Sequence, residues 1–400
     1  MGDLTNGAQP RALVSALWAA AVLLVVFFLA PKIINLNPGL FYFPDGERYR
    51  SAAQMLLGNG FRYRTVFAAF ETSYAALPFA AGYITLVALL MGLLGSHYGI
   101  AIFIIGISLM ATGLGLLAAE LARRTGAAWT GWVFPLVLGL SPNVTYHIKP
   151  VLTDAIFSGL YLMSFWAALR YCVNRRTGYL LGLLALSCVC VFVRASGPAA
   201  LGAIVVVLMF RTIPDQWWSG ARFLVLLAGI VGAMLSGVAA VGALSLHTGL
   251  LPFKPDGLIM QITPEDIGRY LNQSDYQLPD PEDLGGYLRV FAARVNVFFD
   301  LTMPYYSLRH NLFRVATYGA MYLGLIAGIV MICRGRTHPE IGRAFAIGLL
   351  YILAIPFFRG AVHMLDTKGH FFMYVEGVLL WVGILGAVLA WRWVKWRRIE

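Results

Sequence analysis

Apolar runs close to the length of a bilayer crossing recur along nearly the whole chain. They fall at about residues 13–30, 77–94, 98–119, 127–142, 151–170, 179–193, 198–210, 223–246, 315–333, 344–358 and 372–391. A helix needs about 20 predominantly apolar residues to cross the ~30 Å hydrocarbon core, and three of these runs fall short of that. The pattern predicts an all-α polytopic membrane protein with ten or eleven spans, in a single membrane domain over 1–400. The first run, Leu13 to Ala30, follows Arg11 and ends at Pro31 without an Ala-x-Ala site. It reads as an uncleaved anchor rather than a signal peptide, with the amino terminus cytoplasmic.

Two polar stretches interrupt the apolar ones. In the first, 31–76, Pro44-Asp45 opens a helix, Tyr49, Ala52, Ala53, Leu56 and Leu57 share one face at helical spacing, and Gly58-Asn59-Gly60 stops it. This pattern predicts a short amphipathic helix on the membrane surface. The second stretch, 247–310, carries eight acids against five Lys/Arg. Its Pro, Asp and Gly clusters predict a loop with one or two short helices. Gly324 and Gly328 are spaced for close helix packing.

Composition sharpens the class. With 59% hydrophobic and 12% charged residues and a mean hydropathy of +0.73, the chain departs from soluble globular proteins, in which about a quarter of residues are charged. The net charge of +11 does not point to nucleic acid, because the basic residues are not one patch. Arg123, Arg124, Arg170, Arg175, Arg176, Arg211, Arg222, Arg334, Arg336, Arg343, Arg392, Lys395, Arg397 and Arg398 lie in short connections or at the end of the chain. Such a distribution orients a plasma (inner) membrane protein with these turns on the cytoplasmic side. The arrangement leaves 31–76, 143–150, 194–198, 247–310 and 359–371 outside, provided that 77–94 is shallow or re-entrant. Cys172, Cys188, Cys190 and Cys333 form no Cys-x-x-Cys, and neither a disulfide nor a metal cage is expected of them.

Ionisable groups in or beside hydrocarbon are expensive, so the few that sit there are the candidates for function. On the outer side these are Asp45, Arg48, Glu71, His147, Lys149, Asp154, Arg194, Lys368 and His370, with Glu376 about six residues inside the last span. Each has a plain alternative. Asp45 suits a helix cap, Glu71 a solvated loop, Asp154 a helix start, His147 and Lys149 interfacial anchoring, and Glu376 a buried pair with an outer basic residue. The functional reading of Asp45 is a carboxylate held by a rigid element at the lipid–water boundary, where a general base meets one lipid-borne and one aqueous substrate.

Asp-Gly-Glu-Arg-Tyr at 45–49, the following Ala-x-x-Leu-x-x-Gly-x-Gly, Phe70-Glu71 ahead of an apolar run and Leu152-Thr-Asp154 opening another resemble the GT-C class of integral-membrane glycosyltransferases. The likeness is to the branch that uses polyprenyl-phosphate sugars, including protein O-mannosyltransferases and aminoarabinose lipid A transferases, and it covers roughly residues 10–200. It implies a GT-C-like helical bundle that moves a sugar, with inversion, from a polyprenyl-phosphate donor to a glycan, lipid or protein acceptor at the outer face. By the same resemblance Asp45 activates the acceptor and Glu71 and Asp154 support it; in some members such acids hold a divalent cation. Arg48 is implied beside the lipid phosphate. The family commonly has Lys-Pro-Pro after its acidic residue, and this chain has Thr72-Ser73-Tyr74. Lys149, Arg194 or the Lys368/His370 pair would then supply the missing charge.

Rival readings are a transporter or flippase for a phosphate-bearing lipid or glycan, and a non-catalytic scaffold of an envelope-assembly complex. Sparse charge in the central spans speaks against the first. Convergence of Asp45, Glu71 and Asp154 on one cavity would speak against the second.

Overall fold

The computed structural model describes residues 44–70, 80–141, 144, 153–194, 196–248, 283–302, 307–335, 337–362 and 372–397. The apolar run 13–30, Glu71, His147, Lys149, Lys368 and His370 lie outside them, as does the side chain of Asp45. The helices in chain order are α1 (Pro44–Gly58), α2 (Tyr63–Phe70), α3 (Ala81–Leu94), α4 (Tyr98–Thr125), α5 (Thr130–Gly139), α6 (Asp154–Asn174) and α7 (Thr177–Val193). They continue with α8 (Pro198–Phe210), α9 (Ala221–Thr248), α10 (Leu284–Phe299), α11 (Leu308–Cys333), α12 (Pro339–Val362) and α13 (Phe372–Arg397). The protein is an all-α polytopic membrane protein. Six stretches are long and apolar enough to cross a membrane: 81–125, 154–174, 221–244, 311–333, 339–361 and 374–395. Three shorter apolar helices, α5, α7 and α8, have 10 to 17 residues. The described residues therefore carry fewer full-length spans than the ten or eleven that hydropathy predicts.

A hydrophobic stripe on α6 organises the centre. Phe157, Tyr161 and Phe165 recur every four residues and so share one face. Phe157 meets the Tyr374 ring edge-on at 4.8 Å, Tyr161 lies 5.1 Å from Tyr351, and Phe165 packs edge-on against Trp381 at 5.4 Å. Two polar tips of these rings are satisfied inside the bundle: Tyr161 donates to the Tyr351 carbonyl at 2.6 Å, and the Trp381 indole donates to Leu117 at 2.9 Å. Helices α12, α13 and α4 are thereby fastened around α6.

Glycines set the closest approaches. A Cβ on Gly159 of α6 would stand 2.5 Å from the backbone of Leu109 in α4, and one on Gly324 of α11 would stand 2.2 Å from the Gly383 carbonyl of α13. Gly386 meets the Gly324 carbonyl in the same way, at 2.0 Å, and a Cβ on Gly328 would run into the Phe345 ring. Such backbone contact is how helices associate where burial of apolar surface gives little drive, because lipid is as apolar as leucine. The Gly324/Gly328 spacing is thus used for packing.

The predicted helix at the first polar stretch is α1, and its stop works as the residues suggest. Gly60 and Phe61 adopt left-handed backbone, and Phe61 N–H returns to the Leu56 carbonyl at 2.8 Å. Its apolar face corrects the expectation of a helix lying on lipid. Tyr49, Ala52, Ala53 and Leu56 are buried against protein, chiefly α3, while Leu57 remains 39% exposed. The aromatic contact between Tyr49 and Tyr83, at 5.1 Å and near-perpendicular, is the centre of that junction.

Helix α3 also answers the topological difficulty of the 77–94 run. It has 14 residues, about 21 Å of rise, and ends at Gly95 in a conformation with positive φ. That is short of a ~30 Å core. Helix α4, with 28 residues, makes the crossing. It runs parallel to α6, since Gly106 lies beside Ala155, Gly113 beside Gly159, and Glu120 beside Arg170. One helix long and apolar enough to cross a membrane therefore separates α1 and α3 from the Arg123/Arg124 turn.

Within the second polar stretch, α10 is a 16-residue helix whose start is capped when the Asp283 carboxylate accepts from Gly286 N–H at 2.5 Å. Tyr287 and Phe291 of α10 pack with Val238 of α9 and Phe357 and Ala361 of α12, and the Tyr287 hydroxyl donates to the Ala361 carbonyl at 2.9 Å. This part of the loop belongs to the bundle.

Candidate active site

The two ends of the bundle differ in charge. At one end gather Arg123, Arg124, Arg170, Arg175, Arg211, Arg334, Arg343 and Arg392, linked by contacts such as Arg124 to the Glu340 carbonyl at 3.0 Å and Gly220 N–H to Ile332 at 2.8 Å. The opposite end carries the start of α6, the α7–α8 turn, the start of α13 and the α1–α3 junction. The sequence candidates that are described lie at that second end.

Asp154 is the first residue of α6, and its carboxylate does not cap the helix. It is directed sideways to two partners from distant parts of the chain: the Tyr374 hydroxyl of α13 donates to Oδ1, and the Arg194 guanidinium stands 3.2 Å from the same oxygen. Arg194 also donates to the Thr153 hydroxyl, and its guanidinium lies 5.2 Å from the centroid of the Tyr374 ring. The pair is taken almost entirely out of water, at 4% exposure for Asp154 and 10% for Arg194.

Local sequence explains how Arg194 reaches that place. Helix α7 ends where Arg194 turns to extended backbone, and Gly197 N–H closes a turn on the Arg194 carbonyl at 2.8 Å. A Cβ at Gly197 would lie 2.2 Å from the Cys190 carbonyl, so only glycine fits this bend. Pro198 then starts α8 at a first-turn position that lacks no hydrogen bond. The bend points Arg194 inward, where the sequence alone suggested an arginine reaching outward for the interface.

Tyr83 of α3 completes the cluster. It is 1% exposed, lies within electrostatic range of Asp154 and Arg194, and its hydroxyl has no hydrogen-bond partner among the described residues. A buried hydroxyl left this way costs about 1–3 kcal/mol, so its retention calls for a reason. Across the Tyr49–Tyr83 contact the cluster joins α1, on which Asp45 stands one turn before Tyr49 and on the same face, and Arg48 is half-buried beside Tyr49. The described structure thus brings Asp154 and Arg194 together and connects them to the helix bearing Asp45 and Arg48. For Glu71, His147, Lys149, Lys368 and His370 it assigns no position.

Three participants escaped sequence reasoning: Thr153, Tyr83 and Tyr374. Tyrosines are common in apolar runs, and the spacing of 220 residues between Asp154 and Tyr374 carries no local signal. Glu376 is fully buried two residues along α13, facing Tyr318 and, more distantly, Arg314. Arg314 immediately precedes the apolar run 315–333. It is 2% exposed within α11, donates to the Asp300 carbonyl at 2.7 Å and lies over the Tyr318 ring at 5.0 Å.

A divalent cation does not suit the described part of this site. The Asp154 carboxylate already faces a guanidinium, a fixed positive charge that opposes a second one in the same place. Among the described residues no group of three His, Cys, Asp or Glu side chains is arranged to hold a metal. Chemically the cluster offers a fixed cation, two phenols and a carboxylate whose charge is balanced. Comparison with protein families, curated proteins and solved structures finds no match for the chain.

Proposed function

We propose that this protein is a GT-C-like membrane glycosyltransferase that moves a sugar from a polyprenyl-phosphate donor to a hydroxyl-bearing glycan, lipid or protein acceptor at the Asp154 end of the bundle. The observation that carries the reading is the buried Asp154–Arg194–Tyr374 cluster joined through Tyr83 and Tyr49 to the helix of the Asp45-Gly-Glu-Arg-Tyr motif. The motif and the cluster come from separate parts of the sequence, yet they meet at one end of the spans.

In this proposal the acceptor oxygen forms a bond to the anomeric carbon while the bond from that carbon to the phosphate oxygen breaks. The electron pair leaves with polyprenyl phosphate, and the acceptor proton passes to the Asp45 carboxylate. The single displacement inverts the anomeric centre. Arg194 is the fixed cation nearest to hand for the charge that grows on the leaving phosphate, and Arg48 is the second. Asp154 is a positioning residue: with Thr153 it holds the guanidinium in one orientation, so little reorganisation accompanies the reaction.

The test is transfer of label from a polyprenyl-phosphate sugar by the purified full chain in lipid. Asp45→Asn should abolish transfer while expression and thermal midpoint stay as in the parent. Normal transfer by that variant would remove the assignment.

A further inference from the structure

At the basic end, remote from the Asp154 cluster, three arginines from separate parts of the chain face one cleft. Arg175 follows α6, Arg211 follows α8, and Arg343 sits in the first turn of α12; Tyr171, Cys172 and Phe210 form the remaining wall. The cleft is shallow and open to solvent, with no enclosed room for a whole metabolite, so a ligand would meet it as a single anionic group set against the guanidinium groups.

The residues lining the cleft bring three guanidinium groups and no carboxylate; Asp215 pairs with Arg343 from beside it, and Arg211 donates to the neutral Tyr171 hydroxyl at 3.3 Å. Arg175 is also held at a cost. It takes left-handed backbone at φ 53°, one of two non-glycine residues to do so among those described, while its N–H closes α6 on the Tyr171 carbonyl at 2.9 Å. Glycine or asparagine is the usual occupant of such a position. The cleft lies where α6 and α8 end and α12 begins, the depth at which phospholipid head groups stand beside a membrane protein.

We propose that this cleft is a binding site for the phosphate of an anionic phospholipid head group. Guanidinium forks match phosphate oxygens, and basic pockets between membrane helices take such head groups. The site is separate from the sugar-transfer reading and does not depend on it.

The full chain, purified in detergent, would be titrated with phosphatidylglycerol or phosphatidylcholine and the bound lipid read by native mass spectrometry. The parent should retain phosphatidylglycerol in preference to phosphatidylcholine. Arg175→Gln/Arg211→Gln, which changes two exposed side chains, should bind phosphatidylglycerol about 30-fold more weakly and phosphatidylcholine unchanged. Cys172 gives a readout that needs no variant. Phosphatidylglycerol should protect it from maleimide in the parent, and phosphatidylcholine should not. Millimolar inorganic phosphate is the third arm. If it protects Cys172 equally, the site reads free phosphate rather than lipid and the lipid assignment fails. Equal lipid retention by parent and double variant, or an unprotected Cys172, overturns the site altogether.

Discussion

Each end of the bundle buries a carboxylate among arginines, and the two do so in opposite ways. Glu120, at the basic end, binds Arg123 through two bonds of 2.7 and 3.1 Å, Arg124 at 2.7 Å and Arg170 at 3.4 Å. Two of these partners lie three and four residues along the same helix, and the third is on the neighbouring α6. The cluster is local and rich in charge pairs, and it fixes the end of α4. Asp154 at the other end has one arginine, reached across 40 residues, and a phenol reached across 220. Its neighbourhood also contains the Tyr83 hydroxyl that no described group satisfies. Buried charge in itself therefore says little about function here. What separates the two ends is the make-up of each cluster: Glu120 is met by three arginines, whereas Asp154 is met by a guanidinium and by a phenol 220 residues away.

Substitutions test that distinction. The largest effect is expected of Arg194→Leu, which removes the guanidinium 3.2 Å from the buried Asp154 carboxylate. Breaking a buried pair from one side costs about 3–5 kcal/mol, so unfolding in detergent should come at clearly lower denaturant, and sugar transfer should be lost as well. Lost stability with full transfer per folded molecule would return Asp154 to the fastening class. Glu120→Gln should cost about 3 kcal/mol, the lower end of the same range, because Arg123 and Arg170 still reach water. Activity per folded molecule should stay near the parent value; a specific loss of turnover would erase the contrast between the two ends.

Smaller changes resolve the cluster further. Tyr374→Phe removes one donor to Asp154 and keeps the ring over Arg194, so about 1–3 kcal/mol is expected in the same unfolding assay. Tyr83→Phe should be the gentlest in stability, unchanged or slightly raised, since it removes a buried hydroxyl without a described partner. Transfer should nevertheless fall. If both stability and transfer are untouched, the Tyr83 hydroxyl has no part in the site.

Features governed by local period and residue type were legible in the sequence. The burial of Tyr49, Ala52, Ala53 and Leu56 follows from their helical spacing, and the ends of α7 and α8 fall close to the limits of their apolar runs. Spacing cannot say what covers a face, and so α1 reads as a lipid-facing helix although α3 covers it. Hydropathy averages over residue type and misses an arginine that packing brings inside, as with Arg314. The signal for Glu120 was present at three and four residues before Arg123 and Arg124, an arrangement favourable on any helix. For Thr153, Tyr83 and Tyr374 no comparable signal exists, since each meets the charged pair only through tertiary packing. Arg194 was legible as unusual, between two short segments, while the inward direction of its side chain depends on the bend at Gly197.

The junction between α13 and the rest of the bundle has a temporal consequence. Tyr374 reaches Asp154, Trp381 reaches Leu117, and Gly383 and Gly386 lie against α11, so α13 is fastened to α6, α4 and α11. A ribosome working at about 5–20 residues per second needs roughly 10–40 s to travel from Asp154 to Tyr374. For that interval the nascent chain holds Asp154 and Arg194 without the phenol that later seals them. Completion of the charged cluster thus coincides with arrival of α13, making the assembly of the candidate site a late event in the biogenesis of the protein.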